Sequence, residues 1–465
     1  MTGKSGFIGG PTDPFETPDA PEITGVSAGI LSADVTFTAP ADTGGAAIDS
    51  YVITAKQGDG TSVAQTASAA GTTSITLTAG GTTTFGAQAF NLYGAGQFSG
   101  LGNSTSVFSG QELYAWGSNY SGQLGINNLV KQSSPVQVGS LTNWSTMGLG
   151  REHTAAVKTD GTLWTWGKNT DYGQLGLNDK IDRSSPVQVG ALTTWSSATC
   201  GRGFTLAIKT DGTLWAWGRN GSGQLGNDTG VTTSSPVQVG SDTWSQVEAA
   251  QVATLAITTS GELYSSGYGG QGVLGRNTTG GSLGFIQVGA LTNWSFINAG
   301  DYFCHAVKTD GTLWSWGSGG NGELGHNNQT SLSSPVQVGA LTNWSITAGY
   351  EDSAGAVKTN GTLWTWGKNN VGQLGQGTAS PFVQVSSPVQ VGSLTTWQKI
   401  VMGREHTLAT KTDGTLWGWG SGGDGCTGLN NSTNYSSPVQ VGSETSWTSV
   451  FAGRIFSSAL IGTTS

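Results

Sequence analysis

The chain has 465 residues, too many for one ordinary domain and enough for two or three. Only 10% are charged, glycine supplies 76 residues, and 18 Trp, 14 Phe and 10 Tyr exclude both a helical and a disordered protein, leaving an all-β chain rich in tight turns. A net charge of −9 with no Lys/Arg cluster and no basic tail leaves non-specific nucleic-acid binding without electrostatic support.

Residues 1–19, MTGKSGFIGGPTDPFETPD, read as an extended arm rich in Gly and Pro. They contain no apolar run long enough for a secretory signal, and no stretch of the chain approaches the roughly 20 apolar residues of a membrane helix. Residues 20–108 alternate apolar and polar side chains through EITGVSAGILSADVTFTAP, turn at Gly44–Gly45 and resume in TTSITLTAGGTTTFGAQAFN. Period-two patterning broken by Gly turns predicts short strands. Pro21, Pro40, the Asp42–Gly45 turn, Ile48, Tyr51 and the run Ala89-x-Asn91-x-x-Gly94-x-Gly96-x-x-Ser99 resemble a fibronectin type III domain. That resemblance implies a small β-sandwich serving as a connector.

Residues 109–465 repeat. LWTWG at Leu163–Gly167 recurs as LWAWG, LWSWG, LWTWG and LWGWG, with weaker copies LYAWG at Leu113–Gly117 and LYSSG at Leu263–Gly267. The closing glycines of these seven copies are spaced 50, 51, 49, 50, 50 and 53 residues apart. A second tryptophan follows each PVQVG-like segment: Trp144, Trp195, Trp244, Trp294, Trp344, Trp397 and Trp447. Fourteen residues later stand Lys158, Lys209, Thr258, Lys308, Lys358, Lys411 and Ile461. Each copy reads as four strands, with TDG or TNG forming a hairpin turn between the last two runs. Four strands in about 50 residues is the content of a propeller blade. The first copy lacks its HTAAVK-like strand, and the chain ends on GRIFSSALI, which supplies one. The expected architecture is a closed seven-bladed β-propeller with one blade built from both ends of the domain.

WGSNYSGQLG (Trp116–Gly125), WGKNTDYGQLG (Trp166–Gly176), WGRNGSGQLG (Trp217–Gly226) and WGKNNVGQLG (Trp366–Gly375) stand beside GREHTAAVKTDGTLW (Gly150–Trp164) and GREHTLATKTDGTLW (Gly403–Trp417). Together they resemble the regulator of chromosome condensation repeat family over residues 111–465. The resemblance implies a seven-bladed propeller and binding of protein surfaces. The nuclear founder of that family is a nucleotide-exchange factor for a small GTPase.

No catalytic constellation emerges. His153 and His406 share a repeat position with Phe204, Ala253, Phe303, Ser353 and Phe456, so packing is expected there. His305 and His326 lie outside any metal-ligand spacing. GSGGNG at Gly317–Gly322 and GSGGDG at Gly420–Gly425 fit a phosphate-loop pattern, but no helix is predicted after either. Cys200, Cys304 and Cys426 form neither a disulfide framework nor a metal pair and are expected as packed thiols. Lys158, Lys209, Lys308, Lys358 and Lys411 are equivalent, and either form an anion-binding rim or, the favoured reading, solvated strand ends beside a turn. No cofactor, metal or catalytic residue is expected.

Length variation concentrates between the WG glycine and the SSP proline, where the intervals are 18, 19, 18, 18, 18, 21 and 18. Insertions confined to one loop map to one face, which makes these loops the candidate recognition surface. Tyr120, Tyr172, Phe382 and Tyr435 are the candidate aromatic anchors. The fourth copy departs from the others, with Tyr264, Ser266 and Phe285 in place of Trp, Trp and Pro.

These features point to a non-catalytic binding or structural protein. A surface-type composition without an export signal suggests the virion surface of a bacteriophage, as a capsid or tail decoration or a receptor-binding adhesin. Other virion proteins would be held through the arm and sandwich, and a host-surface protein or glycan through the propeller loops. A bacterial surface or secreted protein-binding propeller is the alternative, and a carbohydrate-active enzyme a third.

Overall fold

The computed structural model of the chain describes residues 16–29, 31–378 and 384–463. They are all-β apart from a single 3-10 turn at Gly270–Gly272. Two compact units divide the chain: Met1–Gln111 with Gly462–Ser465, and Glu112–Ile461.

The first unit contains two antiparallel sheets. One pairs Glu22–Ala28, Ser32–Thr38 and Gly71–Thr76. The other centres on Ile48–Lys56 and Gly81–Asn91, flanked by Ser62–Ala67, Gly94–Phe98 and Asn103–Val107. The alternation seen in the sequence becomes a shared core of Val35, Phe37, Tyr51, Ile53, Ile75, Phe85 and Val107. Phe37 and Tyr51 meet at 5.1 Å between ring centroids. Asn91 Nδ2 donates to the carbonyls of Glu16 and Thr43 and ties the start of the described chain to this core.

The second unit is built from the repeats. In the second sheet, Trp144–Leu149, His153–Lys158, Leu163–Gly167 and Arg183–Gln188 pair antiparallel in that order. The hairpin between its second and third strands is set by Asp160, whose Oδ1 accepts from the Thr162 amide and hydroxyl, with Gly161 at φ +75°. The other runs repeat this plan. Two of them merge into one seven-stranded sheet through the 17-residue strand Thr233–Ala249. The physical cause is a shorter linker: Ser241–Thr243 replaces four residues such as Ser140–Asn143, and the strand continues where other copies turn. The sheet that joins chain ends pairs Gln132–Gln137, Gly110–Gly117, Phe456–Thr463 and Trp447–Ala452.

Adjacent sheets are locked by one device used repeatedly. Trp166 Nε1 donates to the carbonyl of Gln123 in the preceding loop, 2.9 Å away. Trp217, Trp316, Trp366, Trp419 and Trp116 repeat that bond to Gln174, Val273, Glu323, Gln373 and Cys426. Gly125 sits at φ +74°, and a Cβ there would lie 2.8 Å from the Trp166 indole, so only glycine lets loop and ring approach. Backbone hooks reinforce the contact: Asn127 N–H bonds the Ser184 carbonyl, and Asn430 N–H bonds Ser133 from the last repeat back to the first. The inner strands likewise neighbour one another in succession from Trp144–Leu149 to Trp447–Ala452, and the last also contacts the first.

The fourth copy keeps this lock by exchange. Ser266 replaces the inserted Trp, and Phe285, in the proline position, takes up the vacated space against Gly226 and Trp244. Its ring centroid lies 4.9 Å from that of Trp244.

Candidate functional site

The inner strands surround a cavity of about 490 Å³ lined by Thr146, Ser197, Gln246, Glu248, Phe296 and Lys399, among others. Burial pushes the Glu248 carboxyl up to about 8 and holds the Lys399 ammonium below its ordinary range. Lys399 Nζ donates to Ser449 Oγ at 2.9 Å.

At one end of this cavity each inner strand turns into the second strand through a short connection. The seven equivalent residues of these connections are Arg151, Arg202, Gln251, Asp301, Glu351, Arg404 and Arg454. Arg404, Arg454, Arg151 and Arg202 stand on consecutive sheets, and Asp301 and Glu351 on the two sheets opposite Gln251's other side. At this position of the connections four successive copies carry arginine and two others carry carboxyls, with Glu152 and Glu405 adjoining Arg151 and Arg404.

These side chains are held in place. Arg202 Nη1 and the Tyr302 hydroxyl both donate to Gln251 Oε1, at 3.2 and 3.1 Å, while Gln251 Nε2 donates to Asp301 Oδ2. Arg404 Nε meets Glu351 Oε1 at 3.1 Å. Burial pushes the Asp301 carboxyl up to about 7; the neighbouring Glu351 and Asp352 carboxylates add to this, and Arg454 and Arg202 oppose it. Tyr350 lies beneath the same mouth, its phenol raised by burial and by Asp301.

The variable loops share this end of the sheets. Each is pinned to a mouth connection by a backbone bond, as in Lys168 N–H to Glu152 O and Ser318 N–H to Tyr302 O. Of the proposed anchors, Tyr120 is 68% exposed. Tyr172 is pinned beneath Arg219, whose guanidinium lies 5.5 Å from its ring centroid. Tyr435 is half-buried against the cluster around Trp397 and Trp419, and its hydroxyl accepts from Asn431. Phe382 lies outside the described residues. Tyr120, Tyr172 and Tyr435 stand on different repeats and do not converge.

The repeated lysines form neither a rim nor a solvated edge. Each ammonium lies over two tryptophans, 3.6–3.8 Å from the ring centroid of the first LWxWG Trp and 4.5–5.1 Å from that of the inner-strand Trp. The expectation of solvated strand ends is corrected by the register: Trp144 pairs directly with Lys158 across the ladder, which turns the long side chain back over the rings.

The histidines are packed. His153 Nε2 bonds Thr205 Oγ1 and His406 Nε2 bonds Ser457 Oγ, both at 2.9 Å and both reaching the next repeat. Burial lowers them to about 4 and about 3, so both are neutral. Cys200 and Cys426 are buried free thiols pushed up to about 12. Among the described residues no group of three His, Cys, Asp or Glu side chains could hold a metal ion, and no helix is long and apolar enough to cross a membrane.

The charged mouth was readable as a column: it is the residue two before the His/Phe position in every copy. Taken copy by copy, Arg151 and Arg404 look like members of a repeated GREHT motif. Only the whole column reveals the segregation of sign.

The RCC1-like domain profile matches residues 188–459, and the regulator of chromosome condensation (RCC1) repeat matches residues 111–157 and 160–208. Similar proteins include the probable E3 ubiquitin-protein ligase HERC4 of Mus musculus, 32% identical over 145 residues, and the ultraviolet-B receptor UVR8 of Arabidopsis thaliana, 35% identical over 141. The match covers 30% of this chain in both cases, but only 14% of the ligase and 32% of the receptor. Among solved structures, yeast RCC1 (Prp20) bound to Kap60 superposes with a TM-score of 0.68 at 19% identity, covering 77% of this chain and 90% of that one. Human WBSCR16 gives 0.68 at 21% identity, covering 76% and 99%.

These relatives correct the expectation of a bacteriophage virion protein and, with it, of virion partners. The relatives named above are eukaryotic RCC1-type proteins, and none is a virion protein. The chain belongs to the RCC1-like domain family, with a propeller-type fold of RCC1 repeats.

Proposed function

We propose that this chain is a non-catalytic protein-binding module whose recognition face is the charged mouth and the loops around it. The carrying observation is the arrangement Arg404, Arg454, Arg151, Arg202 against Asp301 and Glu351 at geometrically equivalent positions. A fixed frame that places arginines and carboxyls on different copies selects partner and orientation together, because the wrong orientation brings like charges into contact. Tyr120, exposed on a neighbouring loop, is an aromatic anchor for the same partner. Yeast Prp20 is bound by Kap60 and has binding properties toward Gsp1p and histones, which supports a protein partner here.

The finer architecture belongs to the same reading. The return of inner-strand contacts from the last repeat to the first supports a closed ring of seven blades. The two sheets around Phe37, Tyr51 and Phe85 support a fibronectin type III-like sandwich over residues 20–108 and a propeller over 109–465, while residues 1–15 of the arm read at 1–19 lie outside the described residues.

Affinity capture with the immobilised full chain, compared with an Arg202→Glu/Arg454→Glu variant, tests the binding face. Proteins retained by the wild type and lost from the variant, then re-bound as purified components, are the expected result. Equal retention by both, or turnover of a bound substrate by the wild type, would overturn it.

A further inference from the structure

The end of the sheets opposite the mouth offers a second, unrelated site. Five repeats carry the same set there: two tryptophans, the lysine over them, and a threonine that accepts from the first indole, as Thr162 accepts from Trp164 Nε1 at 2.9 Å. In the same five repeats a half-exposed leucine (Leu141, Leu192, Leu291, Leu341 or Leu394) precedes the inner Trp. Two repeats keep the inner Trp and change the other four positions at once. In the sheet that joins the chain ends, Trp becomes Tyr114, Thr becomes Glu112, Lys becomes Ile461 and Leu becomes Glu444. In the fourth repeat they become Tyr264, Glu262, Thr258 and Asp242.

The internal cation has gone, and two carboxylates have come in around the same aromatic pair. In the fourth repeat Glu262 is used internally, accepting from the Ser260 hydroxyl at 3.0 Å and from Thr258. In the sheet of Tyr114 the arrangement opens instead onto a cavity of about 560 Å³ bounded by Glu112, Tyr114, Glu444, Trp447 and Ile461. Tyr114 and Trp447 keep the edge-to-face geometry of the other pairs, with centroids 5.8 Å apart at 76°. Tyr114 donates to Glu112 at 3.2 Å, and both Glu112 and Glu444 act on its phenol, which burial and these carboxylates hold above its ordinary range.

We propose that the Tyr114–Trp447 pocket binds an alkylammonium cation, either the lysine side chain of a partner or a free amine of the same shape. The molecule itself shows five times what this aromatic geometry holds. Here the cation comes from outside, and Glu112 and Glu444 supply the charge that draws it in.

The test is an NMR titration of the full chain with n-butylammonium, Nα-acetyl-lysine methylamide and neutral 1-butanol at equal ionic strength. Both cations are expected to bind, the alcohol at least tenfold more weakly. Tighter binding of the lysine derivative assigns the site to a protein partner, and equal binding assigns it to free amines. Ile461→Lys, which restores the residue of five other repeats, is expected to fill the pocket from within and abolish binding. Glu444→Leu, likewise the residue of those repeats, lies at the surface edge of the pocket and is expected to weaken binding at least threefold. Binding of 1-butanol equal to that of n-butylammonium, or cation binding unchanged in both variants, would overturn the proposal. The mouth variants leave this titration unchanged, so it stands or falls apart from the proposed recognition face.

Discussion

The two ends of each sheet in the propeller unit obey different rules. At the tryptophan end, five repeats hold the same aromatic pair, the same lysine and the same threonine in the same bonds. At the mouth, equivalent positions hold Arg, Arg, Gln, Asp, Glu, Arg and Arg. Both ends are framed by the same paired strands, so strand formation does not explain the difference. At the tryptophan end each side chain fills space that another residue depends on, and a change must be matched by its neighbours. At the mouth one position accepts Arg, Gln, Asp and Glu in turn, so its residues can be chosen for charge.

The largest effect should come from breaking the lock between adjacent repeats. Trp166→Ala removes the bond to Gln123 O and the ring packed at 5.9 Å against Trp144. A loss of about 3–5 kcal/mol is expected from equilibrium denaturation, the range for a deleted buried aromatic. A loss below about 1 kcal/mol would mean that the indole merely fills space that its neighbours can close. His153 comes next. It is neutral in the fold because burial lowers it to about 4, against an ordinary value near 6.5. Between those values the unfolded chain binds the proton and the folded chain does not, so stability is present above pH 6.5 and falls as pH drops toward 4, by on the order of 3 kcal/mol. Phe occupies the same place at 204, 303 and 456, so His153→Phe should fold and flatten its share of that acid loss in pH-dependent denaturation.

The fourth repeat tests whether matched change is required. Phe285→Pro alone should cost about 2–4 kcal/mol, because the ring against Trp244 and Gly226 is lost with nothing to replace it. Ser266→Trp alone should cost about 1–3 kcal/mol by overfilling the same space. The double variant restores the pair used elsewhere and should recover most of both losses, a coupling of about 2 kcal/mol in a double-mutant cycle. Additive losses would show that the two positions fill separate spaces.

The parts of the fold legible in the sequence were those carried by spacing. Strand content, the Asp160–Gly161 turn and the joining of Gly110–Gly117 with Phe456–Thr463 all follow from intervals along one chain. What escaped were relations across the ladder. The interval of fourteen places Lys158 opposite Trp144, yet a lysine beside a turn gives no sign by itself of whether it reaches water or lies over a ring. The departures of the fourth repeat gave no sign of being matched, because Ser266 and Phe285 are separated in sequence and only the fold sets Phe285 against Gly226. The loop tyrosines drew notice as aromatics, but Tyr172 is already engaged by Arg219 and Tyr435 by its own core. The mouth was hidden because each of its residues is unremarkable in its own copy.

The smallest expected effect on stability is the one that most sharpens the contrast. Arg202 is exposed, and Gln251 shows that glutamine fits the equivalent place. Arg202→Gln should therefore change stability by no more than about 0.5 kcal/mol. It should nonetheless be felt at Asp301, whose carboxyl stands at about 7 with Arg202 among the charges holding it down. Removing that charge moves the carboxyl further up. Stability contributed by protonated Asp301 is present below its unfolded value and lost as pH rises through about 7, so in the variant the loss should extend to higher pH. A carboxyl-carbon NMR titration of Asp301 checks the direction. An upward shift with unchanged stability would mark the mouth as a coupled charge system carried by an indifferent frame. An unshifted titration would mean that its charges act singly, and the recognition face would then rest on shape and on Tyr120.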